Sequence, residues 1–236
     1  MSIRLAALAL LALSACNPTP ATSGDAGVAS SAFPKADRPV ATIVSSRWST
    51  EEARDRVKEA DRVMDKAGIA AGMTVADIGA GEGYYTTRLA VRVGEKGRVL
   101  AQDIIPEVRD TLADRVYREN LDNVSVKLGE PADPKLPPAS FDRILMVHMY
   151  HEIADPYEFL WRLRPSLKPG GRVIIVDADR PTKDHGTPPK LLECELAAVG
   201  YRKIDLQPMP QAGNYFAAFD LAGVRPEPGA IKACKG

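Results

Sequence analysis

The chain has 236 residues, which is enough for one globular domain with a buried core and some additional segments. Its 31 acidic and 31 basic side chains cancel, so no strong field would draw nucleic acid or anionic lipid to the surface in bulk. We therefore expect no nucleic-acid partner.

The first sixteen residues differ from the rest of the chain. Arg4 gives a basic start, and residues 5–13 form a Leu/Ala run far shorter than the roughly 20 residues that span a bilayer. The tetrapeptide LSAC at 13–16 resembles the lipobox of bacterial lipoproteins, in which Cys16 would be lipidated and become the mature N-terminus. We expect residues 1–16 to be a signal peptide. The mature protein would then be lipid-anchored in the periplasm of a bacterial cell envelope, at the inner or outer membrane.

Residues 17–48 are rich in Pro, Ser, Thr, Ala and Gly. They hold too few large apolar groups to offset the entropy of ordering them, so we expect a flexible tether. Beyond Cys16, the cysteines are Cys194 and Cys234. A disulfide between them fits an oxidising compartment, whereas the helical pattern around Cys194 favours a buried thiol.

The remaining chain alternates helical and strand patterns. A capping box at 49–52 predicts a leading helix, and helices are also expected from Pro156 and over 189–199. Strands are predicted at 74–78, 98–102, 124–128, 141–147 and 172–177, with a closing pair at 204–206 and 215–219. Most of these runs are continuously hydrophobic, as in strands covered on both faces. The pattern predicts a doubly wound α/β fold with a mostly parallel sheet and an antiparallel addition at the C-terminal end.

Three glycines, Gly79, Gly81 and Gly83, follow the first predicted strand. In doubly wound sheets, ligands bind beyond the carboxyl ends of the strands. Glycines there permit a tight turn and a close approach of ligand to main chain, and the next helix offers free N–H groups. We interpret this loop as a cofactor-binding site.

The glycine spacing limits which cofactor can bind. A dinucleotide fingerprint G-x-G-x-x-G would place the third glycine one residue later, and Glu82 would face its pyrophosphate. No G-K-[ST] follows, which excludes a P-loop. Asp77, at the end of the strand, suits a ligand that carries an ammonium group and a sulfonium.

The segment VADIGAGEG at 75–83 resembles motif I of the class I S-adenosylmethionine-dependent methyltransferases. VLAQD at 99–103, LGE with SFD at 128–142, and the segments at 141–152 and 163–173 also resemble that family, in order and at the family's intervals. The resemblance implies a Rossmann-like, seven-stranded methyltransferase fold over 49–222, followed by a C-terminal tail at 223–236. It also implies S-adenosylmethionine as the cofactor.

The resemblance further implies which residues bind the cofactor. Asp103, twenty residues beyond Gly83, would accept hydrogen bonds from the ribose hydroxyls. Glu130, in place of the usual aspartate, would meet the adenine amino group, although Pro131 removes a backbone donor there. The full set of expected cofactor-binding residues is Asp77, Gly79, Ala80, Gly81, Gly83, Asp103, Ile104 and Glu130.

Methyl transfer from a sulfonium depends mainly on alignment of the reactants, so we expect no metal. His148 and His151, in the loop after the fourth strand, are the candidate general bases, with packing beside the cofactor as the alternative role. The short interval between Asp177 and the last helix predicts a small acceptor. Two functions remain open: an exported methyltransferase, or a non-catalytic envelope lipoprotein that binds a nucleoside-like ligand.

Overall fold

The structure, a computed structural model, describes residues 27–43 and 50–236. The predicted signal peptide, Cys16 and the remainder of the predicted tether lie outside these residues. Within residues 27–43 and 50–236, no helix combines the length and the apolar character that crossing a membrane requires.

In residues 27–43 and 50–236, seven strands form a single sheet. They are β1 (Thr74–Ile78), β2 (Arg98–Asp103), β3 (Val124–Leu128), β4 (Phe141–Val147), β5 (Leu167–Asp177), β6 (Tyr201–Met209) and β7 (Asn214–Leu221). The order across the sheet is β3-β2-β1-β4-β5-β7-β6. The strands from β3 to β5 pair in parallel, whereas β7 pairs antiparallel with both β5 and β6. The predicted doubly wound α/β fold with an antiparallel C-terminal addition is confirmed.

Six α-helices accompany the sheet in the described part of the chain. They are α1 (Glu51–Arg56), α2 (Glu59–Lys66), α3 (Tyr84–Val93), α4 (Pro106–Arg118), α5 (Pro156–Leu163) and α6 (Pro189–Ala198). The prediction of one continuous leading helix is wrong, because Lys58 adopts a left-handed conformation (φ 51°) that separates α1 from α2. The N-cap of α1 is Thr50, whose Oγ1 accepts a hydrogen bond from the backbone N–H of Ala53 at 3.2 Å.

The core lies on both faces of the sheet. Along β4, Ile144 and Met146 pack on the side of α5 and α6, whereas Leu145 and Val147 pack on the side of α2 and α3. Burial on both faces explains why these strands are hydrophobic at every position rather than at alternate ones. It also leaves the carboxyl ends of the parallel strands as the place where polar groups can meet.

Residues 27–43 pack along the domain. The ring of Phe33 contacts that of Trp161 edge-on at 5.4 Å, and Arg38 Nε lies 2.8 Å from Glu195 Oε1 in a fully buried ion pair. Asp37 forms a β-bridge with Lys235 near the C-terminus. The expectation of a flexible tether is therefore wrong for these residues, because a few anchoring side chains order an otherwise polar segment.

A disulfide joins Cys194 on α6 to Cys234. Residue Cys194 is exposed and Cys234 is buried, so the expectation of a buried free thiol at Cys194 is wrong. The disulfide and the buried side chain of Ile231 fix the C-terminal tail to the domain.

Candidate functional site

The glycine loop, residues 79–83, connects β1 to α3, and its three glycines adopt left-handed conformations. Gly79, Gly81 and Gly83 have φ values of 66°, 56° and 91°. A Cβ at Gly83 would lie 2.5 Å from Leu112 Cδ1, and one at Gly79 would lie 2.9 Å from Met149 Cγ. A Cβ at Gly81 would meet nothing within 4 Å. The outer two glycines therefore permit close packing, whereas the middle one leaves open space at the surface of the loop.

Asp103, at the end of β2, is bonded to this loop. Its Oδ2 accepts a hydrogen bond from the backbone N–H of Gly81 at 3.0 Å, and its Oδ1 accepts one from Ile105 at 3.0 Å. The backbone N–H of Ala80 donates to the carbonyl of Gln102 at 3.0 Å. The loop and the end of β2 are thereby held side by side.

A cavity of about 250 Å³ opens at this edge of the sheet. The glycine loop, the end of β2 and the loop after β4 all contribute to its wall. Of the predicted cofactor-binding residues, Gly79, Ala80, Gly81, Asp103 and Ile104 line it. The two predicted halves of the site thus face one common space.

Asp77 lies beneath the loop rather than in the cavity wall. Its side chain is buried, and its Oδ2 accepts a hydrogen bond from Thr86 Oγ1 at 2.6 Å. Burial raises the pKa of the Asp77 carboxyl to about 6, against the opposing effect of the Thr86 hydrogen bond. Gly83 likewise lies outside the cavity lining and forms the N-cap of α3.

Glu130 is not brought to the cavity. Its carboxylate is largely exposed and lies 3.3 Å from Lys135 Nζ, within a small turn in which Glu130 and Asp133 form a β-bridge. Pro131 lines the cavity at this point. The structure therefore does not support the adenine contact that the resemblance implied for Glu130, because the turn directs the side chain to the surface.

The two candidate bases occupy different environments. His148, in a left-handed conformation (φ 56°), lines the cavity, and its Nε2 lies 3.4 Å from Glu59 Oε1. Burial by itself would raise the pKa of Glu59, but the hydrogen bond and charge of His148, with the charge of Arg54, lower it to about 2. His151 is buried, and its Nδ1 lies 3.0 Å from Asp177 Oδ1. Only His148 of this pair is a cavity-lining residue.

Two further residues line the cavity that were not predicted from the sequence. Gln102 lines the cavity, and its buried Nε2 has no hydrogen-bond partner among the residues that the structure describes. Arg54, on α1, also lines the cavity, pairs with Glu59 at 2.6 Å and lies 3.8 Å from the centre of the Tyr84 ring. No sequence signal distinguishes Arg54 from other helical arginines, whereas the position of Gln102 beside Asp103 was a usable signal.

The same region of the chain matches known proteins. Residues 76–175, which run from within β1 to within β5, match a family described as a methyltransferase domain. The crystal structure of an S-adenosylmethionine-dependent methyltransferase from Aquifex aeolicus superposes with a TM-score of 0.66 and 26% identity, over 71% of this chain and 92% of that one. The fold of this chain is thus that of a class I methyltransferase, and residues 76–175 are similar to the methyltransferase domain family.

Curated relatives of the methyltransferase domain differ in their reactions. The ubiquinone/menaquinone biosynthesis C-methyltransferase UbiE of Hahella chejuensis is 31% identical over 123 residues, which are 50% of this chain and 48% of that protein. Nocamycin O-methyltransferase of Saccharothrix syringae is 32% identical over 177 residues, which are 73% of this chain and 60% of that protein. The chain thus spans about half to three-fifths of the length of these relatives.

The cofactor of the methyltransferase domain is S-adenosylmethionine. The residues present fit it in two respects. The missing Cβ of Gly81 leaves open space beside the main chain, and the Asp103 carboxylate can accept hydrogen bonds from a pair of hydroxyls. Asp77 and Asp103 also place negative charge near a cofactor that carries cationic groups.

Proposed function

We propose that this domain transfers the methyl group of S-adenosylmethionine to a small acceptor bound in the cavity. The observation that carries the proposal is the hydrogen bond between Asp103 and Gly81. It holds the glycine loop and a carboxylate side by side in the wall of the same cavity. S-adenosylmethionine supplies an electrophilic methyl group when bound. The residues of the chain bind it, orient the acceptor and exclude water.

The apolar part of the cavity wall supports a small acceptor with an apolar body. Ile43, Met149, Ile153 and Phe159 line this part, and Ile43 belongs to the N-terminal segment that packs across the domain. Such a wall excludes water from the reacting groups. One relative is a C-methyltransferase and another an O-methyltransferase, so the comparisons leave the accepting atom open.

His148 is positioned to act as a general base in this reaction. Its imidazole borders the cavity, and Glu59 at 3.4 Å orients it and can stabilise the positive charge that the ring gains with a proton. General-base catalysis contributes about 10²- to 10⁴-fold to a rate. We expect His148→Asn to lower kcat by that factor if the acceptor is a hydroxyl or an amine.

The proposal is tested with methyl-labelled cofactor. The purified chain with Cys16→Ser is incubated with labelled S-adenosylmethionine and small-molecule fractions of envelope extracts, and mass spectrometry searches for a product with one added labelled methyl. Such a product, absent when Asp103→Ala replaces the parent chain, supports the proposal. Cofactor binding without a product from any fraction would instead support the alternative of a non-catalytic, nucleoside-binding lipoprotein.

We also propose that the protein works in the cell envelope, anchored through Cys16. The Cys194–Cys234 disulfide supports this location, because disulfides persist in oxidising compartments and are rare in the cytosol. Fractionation of cells that express the parent chain or Cys16→Ser tests the anchor. Loss of membrane attachment in Cys16→Ser is expected, and persistent attachment of that variant would contradict lipidation at Cys16.

A further inference from the structure

Two histidines and a glutamate come together beside the cavity. His151, Glu152 and His185 each offer one ligand atom, and these atoms all lie within 4.8 Å of one another. His151 and Glu152 belong to a 3-10 helix, Tyr150–Glu152, that follows β4. His185 follows another, Thr182–Asp184, beyond β5. We propose that these three side chains bind a divalent transition-metal ion such as Zn²⁺.

The buried carboxylate of Asp177 fixes the imidazole of His151. The Nδ1 atom of His151 lies 3.0 and 3.1 Å from the two carboxylate oxygens of Asp177. Asp177 also accepts hydrogen bonds from Thr187 Oγ1 at 2.7 Å and from the backbone N–H of Ala178 at 2.8 Å. We assign Nδ1 of His151 as a donor to this carboxylate, so that Nε2 carries the lone pair. A carboxylate behind an imidazole is the usual support of a metal-bound histidine.

The loop after β5 holds the second imidazole beside the first. The rings of His151 and His185 are 5.4 Å apart and nearly perpendicular, at 89°. Thr182 Oγ1 donates to the carbonyl of Pro39 at 2.6 Å, and the backbone N–H of Thr187 donates to the carbonyl of Ala178 at 2.9 Å. These bonds fold the loop back on itself and attach it to the N-terminal segment. The position of His185 is therefore set by contacts on both sides of it.

The donor set indicates the class of ion. Two imidazoles and one carboxylate suit Zn²⁺ and neighbouring first-row ions, whereas Mg²⁺ and Ca²⁺ prefer oxygen ligands. Tetrahedral zinc bonds of about 2.0 to 2.1 Å place ligand atoms roughly 3.4 Å apart, so ligand atoms within 4.8 Å need only a small contraction. Glu152 and His185 are only partly buried, so they are the side chains that would close on the ion.

The cluster is connected to the cavity through Glu152, which lines it. Three protein ligands leave a coordination position for a water molecule or a substrate, as in catalytic zinc sites. This role rests on the proposed function: the ion would bind an oxygen or sulfur atom of the acceptor and lower its pKa, and the released proton would pass to His148 as the general base.

Zinc binding is measured on the full chain with Cys16→Ser, purified without a histidine tag and without S-adenosylmethionine. Competition with a chromophoric chelator should show one Zn²⁺ per chain. His185→Gln and Glu152→Gln should each lower the affinity at least tenfold. Asp184→Asn is the matched control, because the Asp184 carboxylate is in the same loop as His185 but pairs with Lys183 at 2.9 Å. The zinc affinity of this variant should equal that of the parent.

Anomalous diffraction at the zinc edge should place the ion between His151, Glu152 and His185. Absence of stoichiometric binding, or binding that His185→Gln and Glu152→Gln leave unchanged, would overturn the metal site. Because binding is measured without cofactor, that result would leave methyl transfer untouched. Zinc bound at the cluster in a protein that binds no S-adenosylmethionine would contradict the proposed function alone.

Discussion

The carboxylate of Asp103 accepts a hydrogen bond from the backbone N–H of Gly81 over 3.0 Å, and this bond joins the two halves of the proposed cofactor site. One half is a loop whose middle residue has no Cβ, and the other is an acid at the end of the neighbouring strand. Since β1 and β2 pair in parallel, their carboxyl ends lie at one edge of the sheet. The chain thus holds the groups that we propose bind the cofactor in place through its own hydrogen bonds.

Substitutions of two loop glycines should differ in their effects on cofactor binding and on the stability of the fold. Gly81→Ala adds a methyl group to the open cavity at a left-handed residue, so we expect a loss of roughly 1 to 2 kcal/mol in the free energy of unfolding and at least tenfold weaker cofactor binding. Gly83→Ala places Cβ against buried Leu112, so it should destabilise the fold more than Gly81→Ala does. Urea unfolding and calorimetric titration of both variants check this difference. If both variants had equal effects on the free energy of unfolding and on cofactor affinity, the open space at Gly81 would not be where the cofactor binds.

The buried Asp77 should make stability depend on pH. Its pKa is raised to about 6 in the folded protein from an ordinary value of 3.8, so the folded state favours the protonated form. This contribution to stability is present below about pH 4 and is lost as the pH rises through 6. Asp77→Asn should therefore be more stable than the parent at pH 8, by roughly 1 to 3 kcal/mol, with the gain shrinking towards pH 5.

Urea unfolding of Asp77→Asn and the parent chain at both pH values measures this effect. Asp110→Asn, which changes an exposed carboxylate, serves as the control for the substitution itself. A difference between Asp77→Asn and the parent that is the same at pH 5 and pH 8 would contradict the account. The same variant should bind S-adenosylmethionine more weakly at pH 8, because it lacks a negative charge beneath the loop.

The N-terminal segment should contribute substantially to stability. Arg38 and Glu195 form a fully buried ion pair at 2.8 Å, so Arg38→Met should lower the free energy of unfolding by about 3 to 5 kcal/mol by leaving Glu195 without its partner. Lys35 pairs with Asp155 at the surface, so Lys35→Met should change stability by only about 0 to 1 kcal/mol. Equal, small effects of the two variants in urea unfolding would show that residues 27–43 are not held to the domain in solution.

The sequence predicted those parts of the fold that local patterns encode. Continuous hydrophobic runs identified the strands, and the glycines with Asp103 identified the edge of the sheet where the cavity lies. The docking of residues 27–43 was not predictable, because Phe33 and Arg38 are single anchors whose partners, Trp161 and Glu195, lie more than a hundred residues away. The surface position of Glu130 was missed because a bridge to Asp133 sets the direction of its side chain. The proximity of His185 to His151 could not be predicted from the sequence, because it depends on the path of the loop after β5.

Cofactor binding by Asp103 is measured by calorimetric titration of S-adenosylmethionine into the parent chain and into Asp103→Ala. We expect stoichiometric binding by the parent and a loss of about 1 to 3 kcal/mol of binding free energy in the variant, the scale of charge-assisted hydrogen bonds in a buried site. Asp110→Ala, an exposed acid on the following helix, should bind like the parent. No binding by the parent at millimolar cofactor, or an unchanged affinity in Asp103→Ala, would contradict this expectation.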